Sequence, residues 1–198
     1  MISSKIGHSL DPLLINIYRF FFKRKEIDPV VFTVSGLISG IIASILILSG
    51  YLVAGGLMLI VSSCFDLLDG AIARNTGKVT SFGGFLDSVL DRYTDLIVMY
   101  GLFFYFLKRG EANLSAITFI AAIGVAIIPY AKARAEAASL TCNTGIMERP
   151  ERMIILIVGL IFGLPKYAVI ILALLTHITV IQRIVYVLRA ARKDGPLH

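Results

Sequence analysis

Six apolar segments follow one another along this 198-residue chain. Each is close to the length of about 20 residues with which a helix crosses a lipid bilayer. The segments are 29–49, 51–74, 81–107, 112–138, 148–164 and 166–188. Hydrophobic residues make up 57% of the sequence and charged residues only 16%, which is more apolar surface than a water-soluble domain of this size needs. The pattern predicts an all-α integral membrane protein with six transmembrane helices, formed by one domain over residues 1–198.

Residues at the segment ends support these boundaries. Pro29 and Pro150 suit the first turns of the first and fifth helices, because N–H groups there have no hydrogen-bond partner within the helix. Gly77 favours a helix stop, and Thr80 or Ser81 can cap the third helix.

The segment 8–25 precedes the first span and has an amphipathic pattern. Leucine, isoleucine and phenylalanine recur at intervals of three and four, with Asn16, Arg19 and Lys23 opposite. This pattern predicts an interfacial helix in the plane of the lipid headgroups. A first helix packed on the bundle is an equally open interpretation.

The distribution of lysine and arginine predicts an orientation. One side of the predicted bundle collects Lys5, Arg19, Lys23, Arg24, Lys25, Arg74, Lys78, Lys132, Arg134, Arg149, Arg152, Arg183, Arg189, Arg192 and Lys193. The other side has Lys108, Arg109 and Lys166. Because cytoplasmic loops are enriched in basic residues, both termini should face the cytoplasm of a cell-membrane protein. The two cysteines, Cys64 and Cys142, indicate no disulfide framework.

Two pairs of aspartates interrupt the apolar pattern. Asp66 and Asp69 are three residues apart near the cytoplasmic end of the second segment, and Asp87 and Asp91 are four apart early in the third. Such spacing places each pair on one helix face. Because the link between the segments is short, the two helices should be antiparallel neighbours whose carboxylates converge. Acids inside a membrane are costly and mark functional sites.

Four convergent carboxylates must be neutralised by protons or cations. Their hard oxygen ligands suit Mg²⁺ or Mn²⁺, or else Ca²⁺, and a two-metal centre is plausible. Two other interpretations stay open: a salt-bridge network with Arg74, Lys78 and Arg92, and the proton relay of a transporter.

Small and basic residues accompany the acids. Gly70 and Ala73 leave room for a ligand near the backbone, and Arg74 offers a fork suited to phosphate oxygens. Gly83 and Gly84 allow close helix approach, which is also what simple helix packing would need. Together with the acids, these residues indicate a metal-assisted site for a phosphorylated substrate.

These residues form one spaced pattern. It runs Asp66, two residues, Asp69-Gly70, two residues, Ala73-Arg74, eight residues, Gly83, three residues, Asp87, three residues, Asp91. The pattern resembles the complete signature of the CDP-alcohol phosphotransferases, whose six-helix membrane fold would cover essentially the whole chain.

The resemblance implies a reaction and a role for each residue. Such enzymes transfer a phosphoryl-linked group from a CDP-alcohol to an acceptor hydroxyl and release CMP. Asp66 and Asp87 would bridge two divalent ions, Asp69 would bind the first ion, and Asp91 would bind the second and act as general base. The CDP moiety would be contacted by Pro29, Thr33, Asp69, Gly70, Ala73, Arg74 and Thr80. The family also leads us to expect a homodimer.

The segments 130–136 and 145–152 resemble the family branch that makes phosphatidylinositol phosphate or archaetidylinositol phosphate. In that branch a basic pocket holds the phosphate of inositol phosphate, and Lys132, Arg152 and Arg192 match its positions. Arg134, Arg149 and Arg189 are alternatives. A cytoplasmic charge bias without a binding role is the alternative explanation for Lys132, Arg152 and Arg192.

The expected partners are therefore the bilayer, inositol phosphate and either CDP-diacylglycerol or CDP-archaeol, and not nucleic acid. Rival enzyme hypotheses are a CDP-inositol-dependent di-myo-inositol phosphate phosphate synthase and a phosphatidylglycerol phosphate synthase. A cation-coupled transporter and a membrane scaffold are the alternatives outside enzymology.

Overall fold

The computed structural model describes residues 28–142 and 144–193, which form six α-helices. They are α1 (Pro29–Leu48), α2 (Leu52–Thr76), α3 (Ser81–Lys108), α4 (Ala112–Ala137), α5 (Arg149–Ile161) and α6 (Pro165–Lys193). Each coincides with a predicted apolar segment to within a few residues. The amphipathic helix expected at 8–25 lies outside the described residues.

Capping residues set the ends of the helices around the acidic segment. The side chain of Asp28 accepts a hydrogen bond from the Val30 N–H (3.0 Å) at the start of α1. Gly77 ends α2 in the left-handed conformation (φ 66°), which residues with a Cβ rarely adopt. The Thr80 hydroxyl then accepts from the Gly83 N–H (3.0 Å) and begins α3. The predicted cap at Thr80 is thus observed.

Four helices are long and apolar enough to cross a bilayer: α1, α2, α4 and α6 up to Arg192. Helix α3 has 28 residues but carries Asp87, Asp91, Arg92 and Asp95, and α5 has only 13 residues. The described part of the chain is therefore all-helical, with several membrane-spanning helices, as an integral membrane protein requires.

Helix α1 packs against both acidic helices. The hydroxyl of Ser62 on α2 donates to the Gly36 carbonyl (2.8 Å), and the hydroxyl of Ser44 on α1 donates to the Ile97 carbonyl on α3 (2.6 Å). Small residues at these contacts let the helices approach closely. In contrast, α2 and α3 scarcely contact each other, although their short link suggested direct packing. The correction has a simple cause: α1 packs against both helices, and the carboxylates of Asp66, Asp69 and Asp87 converge between them.

The remaining helices complete the bundle. Helix α4 packs on α3 and α6, while α5 packs on α2 and α6. A hydrophobic core that includes Leu59, Met99, Phe106, Leu160 and Leu172 joins these helices. The first turn of α5, which begins at Arg149, faces the acidic residues of α2 and α3.

Candidate metal and nucleotide site

Three of the four signature aspartates converge across the gap between α2 and α3. Carboxylate oxygens of Asp66, Asp69 and Asp87 all lie within 4.8 Å of one another. Asp69 is buried, with 7% of its surface exposed, and the other two are half-buried. The sequence prediction that the two acidic faces meet at one point holds for these residues.

The donor set fits a hard divalent cation. Within the part of the chain that the structure describes, Asp69 Oδ2 and Asp87 Oδ1 are buried and accept no hydrogen bond. Unpartnered buried carboxylate oxygens cost free energy unless a cation or proton compensates them. The cluster offers oxygen ligands only, which favours Mg²⁺ or Mn²⁺ over zinc.

The fourth aspartate, Asp91, is held differently. Its Oδ1 lies 2.9 Å from Arg149 Nη2, and its Oδ2 lies 3.5 Å from Arg92 Nη2. Its carboxylate is therefore engaged by guanidinium groups and is not part of the compact group formed by Asp66, Asp69 and Asp87.

Arg149 is the main counterion of this site. Its two terminal nitrogens divide between the acidic helices: Nη1 lies 2.5 Å from Asp66 Oδ2 on α2, and Nη2 contacts Asp91 on α3. Its Nε lies 3.6 Å from Asp95 Oδ1. A planar guanidinium can grip two carboxylates at once in this way, which an ammonium group cannot do with the same geometry.

The salt-bridge interpretation of the acids is thus observed in part, but with another partner. Arg92 was expected as a counterion, and its Nη2 lies 3.5 Å from Asp91 Oδ2. Asp66 and Asp91 pair instead with Arg149, which lies far away in the sequence on α5. The Asp66, Asp69 and Asp87 group still keeps two oxygens without a protein partner among the described residues.

A cavity of 580 Å³ opens beside the aspartates. Its lining includes every residue that the sequence assigned to CDP: Pro29, Thr33, Asp69, Gly70, Ala73, Arg74 and Thr80. Lys78, Gly83 and Asp87 also line it. One chamber is therefore formed by the start of α1, the end of α2 and the start of α3. Asp69 and Asp87, which could bind a metal ion, are part of its lining.

Gly70 and Arg74 lie in contact inside this chamber. A Cβ built on Gly70 would stand 3.0 Å from Arg74 Nη1, closer than side chains normally tolerate. Glycine at this position therefore lets the guanidinium fold over the backbone of α2. This arrangement gives a phosphate access to both the backbone surface and a basic fork.

The three predicted acceptor-binding residues differ in their exposure and in their partners. Arg152 is buried (3% exposed) and its Nη2 lies 2.8 Å from Asp95 Oδ2. Lys132 on α4 has a 42% exposed side chain, 4.0 Å from Glu136 Oε1, and Arg192 is exposed near the end of α6. Their assignment to the acceptor stays a prediction.

Two residues that the sequence analysis did not assign to the site, Asp95 and Arg183, make several polar contacts near it. Asp95, one turn beyond Asp91, pairs with both Arg149 and Arg152. Arg183 is buried and contacts three parts of the chain: the Thr144 carbonyl (3.0 Å), the Ile128 carbonyl on α4 and Glu148 (3.8 Å). An aspartate at helical spacing from Asp91 was a signal for the first. Nothing in the sequence indicated the second.

Comparison with known proteins defines the class. Residues 27–185 match the CDP-alcohol phosphatidyltransferase family, and the chain belongs to that family. It is 39% identical over 159 residues to the archaetidylinositol phosphate synthase of Pyrococcus horikoshii. The aligned region covers 80% of this chain and 82% of that one. The chain is thus an enzyme of the CDP-alcohol phosphotransferase type and a multi-pass membrane protein.

Solved structures resemble the fold closely. Phosphatidylinositol phosphate synthase of Mycobacterium tuberculosis with CDP-DAG bound superposes with a TM-score of 0.78 at 31% identity, covering 89% of this chain and 92% of that one. The same enzyme in complex with manganese and citrate gives a TM-score of 0.77 over 90% of this chain and 88% of that one.

Proposed function

We propose that the protein transfers the phosphatidyl or archaetidyl group of a CDP-activated lipid to a hydroxyl of 1D-myo-inositol 3-phosphate and releases CMP. The observation that carries this proposal is the chamber itself. Seven residues expected to contact CDP line one cavity, and Asp69 and Asp87 of the acidic group form part of its wall. The names of the archaeal relative and of the mycobacterial structures support inositol phosphate as the acceptor.

The chemistry follows from this placement. The acceptor oxygen attacks the phosphorus that bears the lipid, the bond from that phosphorus to the bridging oxygen breaks, and CMP leaves with the electron pair. Asp91 takes the hydroxyl proton as general base. Asp66, Asp69, Asp87 and Asp91 would hold two divalent ions, which supply a counter-charge for the phosphates and the leaving group.

The chain's other residues bind and orient the nucleotide. Arg74 pairs with a phosphate of CDP, and Gly70 and Ala73 keep the backbone of α2 accessible to it. Pro29 and Thr33 border the same cavity from α1, where the cytidine would lie. Positioning of the two substrates is expected to supply much of the rate enhancement.

The acceptor phosphate needs cations that do not already bind CDP. Lys132, Arg152 and Arg192 are the proposed set. The buried pair of Arg152 with Asp95 makes Arg152 the least available of them, and Arg149, which lies directly at Asp91, is the strongest alternative. Arg149 contacts Asp91, so a guanidinium, which is a group suited to phosphate, lies beside the proposed base.

The membrane arrangement is proposed as well. All six helices cross the bilayer, including α3 and the short α5, with the chamber and both termini on the cytoplasmic side. The asymmetry of lysine and arginine supports this orientation. The protein is proposed to act as a homodimer in the cell membrane.

An acceptor assay tests the proposed function. Purified protein in lipid nanodiscs is supplied with Mg²⁺, with CDP-diacylglycerol or CDP-archaeol, and with inositol 3-phosphate or glycerol 3-phosphate. We expect CMP release and an inositol-containing lipid only with inositol 3-phosphate. A product with glycerol 3-phosphate alone would overturn the acceptor, and CMP release with soluble CDP-inositol but with neither lipid would overturn the donor.

A further inference from the structure

We propose that Arg149 is an exchangeable counterion that competes with a divalent cation for Asp66 and Asp91, so that the two metal positions of the site fill in a fixed order. The inference rests on the proposed function, because it assigns the two ions to the four aspartates. It adds a role for a residue outside the acidic signature.

The first step of the argument is the difference between the two ends of the acidic cluster. At one end, oxygens of Asp66, Asp69 and Asp87 converge within 4.8 Å, and Asp69 Oδ2 and Asp87 Oδ1 have no protein partner among the described residues. A cation can bind there without displacing any hydrogen bond to those two oxygens.

At the other end of the acidic cluster, Arg149 already occupies the carboxylates. Asp66 Oδ2 and Asp91 Oδ1 are bridged by the fork of Arg149 at 2.5 and 2.9 Å. A cation shared by Asp66 and Asp91 needs these lone pairs and is repelled by the guanidinium charge. Arg149 must therefore leave before a second ion binds, and the end formed by Asp69 and Asp87 should fill first.

Release of Arg149 also frees the proposed base. While Asp91 Oδ1 is ion-paired with Arg149 Nη2, this oxygen is engaged and cannot take a proton from the acceptor. Asp95 gives the guanidinium a place to remain, since its Oδ1 already lies 3.6 Å from Nε. Arg149 can thus pivot about Asp95 and present its fork to an incoming phosphate, so the base becomes available when an anion and a second cation are both present.

Mn²⁺ binding measured by electron paramagnetic resonance tests this inference without any substrate. Metal-depleted protein in nanodiscs is titrated with MnCl₂, as wild type and as the variants Arg149→Gln, Arg149→Lys and Arg92→Gln. We expect wild type to bind one ion tightly and a second more weakly, with spin coupling when both are bound. In Arg149→Gln the second ion should bind about tenfold more tightly, equivalent to about 1.4 kcal/mol.

Arg92→Gln is the matched control, because Arg92 also contacts Asp91 but does not bridge it to Asp66. An equal gain in second-ion affinity in Arg92→Gln would show a general charge effect and overturn the exchange. Unchanged binding in Arg149→Gln would overturn it too. Arg149→Lys keeps the charge but loses the fork that bridges both carboxylates, so it should tighten the second ion by less than Arg149→Gln does. If Arg149→Gln does not fold, unchanged second-ion binding in Arg149→Lys would overturn the exchange.

An anion arm completes the test. Inorganic phosphate should strengthen the second Mn²⁺ in wild type by drawing Arg149 away, and should have no such effect in Arg149→Gln. Phosphate that leaves wild-type Mn²⁺ binding unchanged would remove the pivot from the proposal. Because these titrations use no CDP-lipid, they can succeed or fail independently of the acceptor assay that tests the proposed function.

Discussion

The guanidinium of Arg152 on α5 donates a hydrogen bond to Asp95 on α3 across 2.8 Å, and both side chains are buried. The pair ties the first turn of α5 to the helix that carries Asp87 and Asp91. Asp95 also lies against Arg149, so one carboxylate organises both arginines of this turn. The conformation of the site therefore depends on an acid that is outside the metal-binding signature.

Removing Asp95 should destabilise the protein. Asp95→Leu leaves Arg152 as an unpaired buried cation, and breaking such a pair typically costs about 3–5 kcal/mol. We expect a clearly lower midpoint of thermal unfolding in detergent, measured by circular dichroism. The double variant Asp95→Leu/Arg152→Leu should recover much of the loss, and single and double variants of equal stability would contradict the pair's role.

Asp91→Asn should abolish turnover and leave the fold intact. Loss of a general base typically costs about 10²–10⁴-fold in rate, and asparagine keeps the size of the side chain. CMP release measures the rate, and size-exclusion chromatography with thermal unfolding checks the fold. Glu111→Gln, in the link between α3 and α4 beyond the end of α3 that is far from Asp91, is the control and should behave like wild type. Wild-type turnover in Asp91→Asn would eliminate Asp91 as the base.

Divalent cations should be required. Treatment with EDTA should stop CMP release, and Mg²⁺ or Mn²⁺ should restore it, because buried oxygens of Asp69 and Asp87 need a compensating charge. Asp69→Asn should raise the Mg²⁺ concentration at half-maximal rate without preventing folding. Activity that survives exhaustive chelation would exclude the metal-dependent route.

Gly70→Ala should weaken binding of the CDP-lipid. The added methyl group would stand 3.0 Å from Arg74 Nη1 and must displace the guanidinium, so we expect a several-fold rise in KM for the donor. Gly84→Ala borders the same cavity, but its Cβ would meet no atom within 4 Å, and it should change KM less. Equal effects of the two substitutions would show that contact with Arg74 is not what matters at Gly70.

The sequence predicted the positions of the helices and the convergence of three of the aspartates. Apolar length located all six helices, and the spacing of Asp66 and Asp69 put both on one face of α2. The cap at Thr80 followed from local chemistry alone, since the hydroxyl and the N–H that it satisfies are three residues apart. These are features that short stretches of chain determine.

Partners between distant helices could not be predicted in the same way. Helical periodicity shows that Arg149 and Arg152 lie about one turn apart, but not which of them reaches Asp91. The outcome depends on how α5 is rotated against α2 and α3, which the packing of the whole bundle decides. For the same reason the sequence suggested that α2 packs directly on α3, whereas α1 lies against both.

Helix α1 contributes no acid to the site, yet its serine and glycine contacts fix how far apart the two acidic helices stand. Bulkier residues at Ser44 or Gly36 would widen or skew that separation and alter ion affinity from a distance. Mutational scans confined to the acidic signature would miss such positions, and the buried contacts of α1 with the two acidic helices are therefore a second place at which the metal preference of this enzyme can be changed.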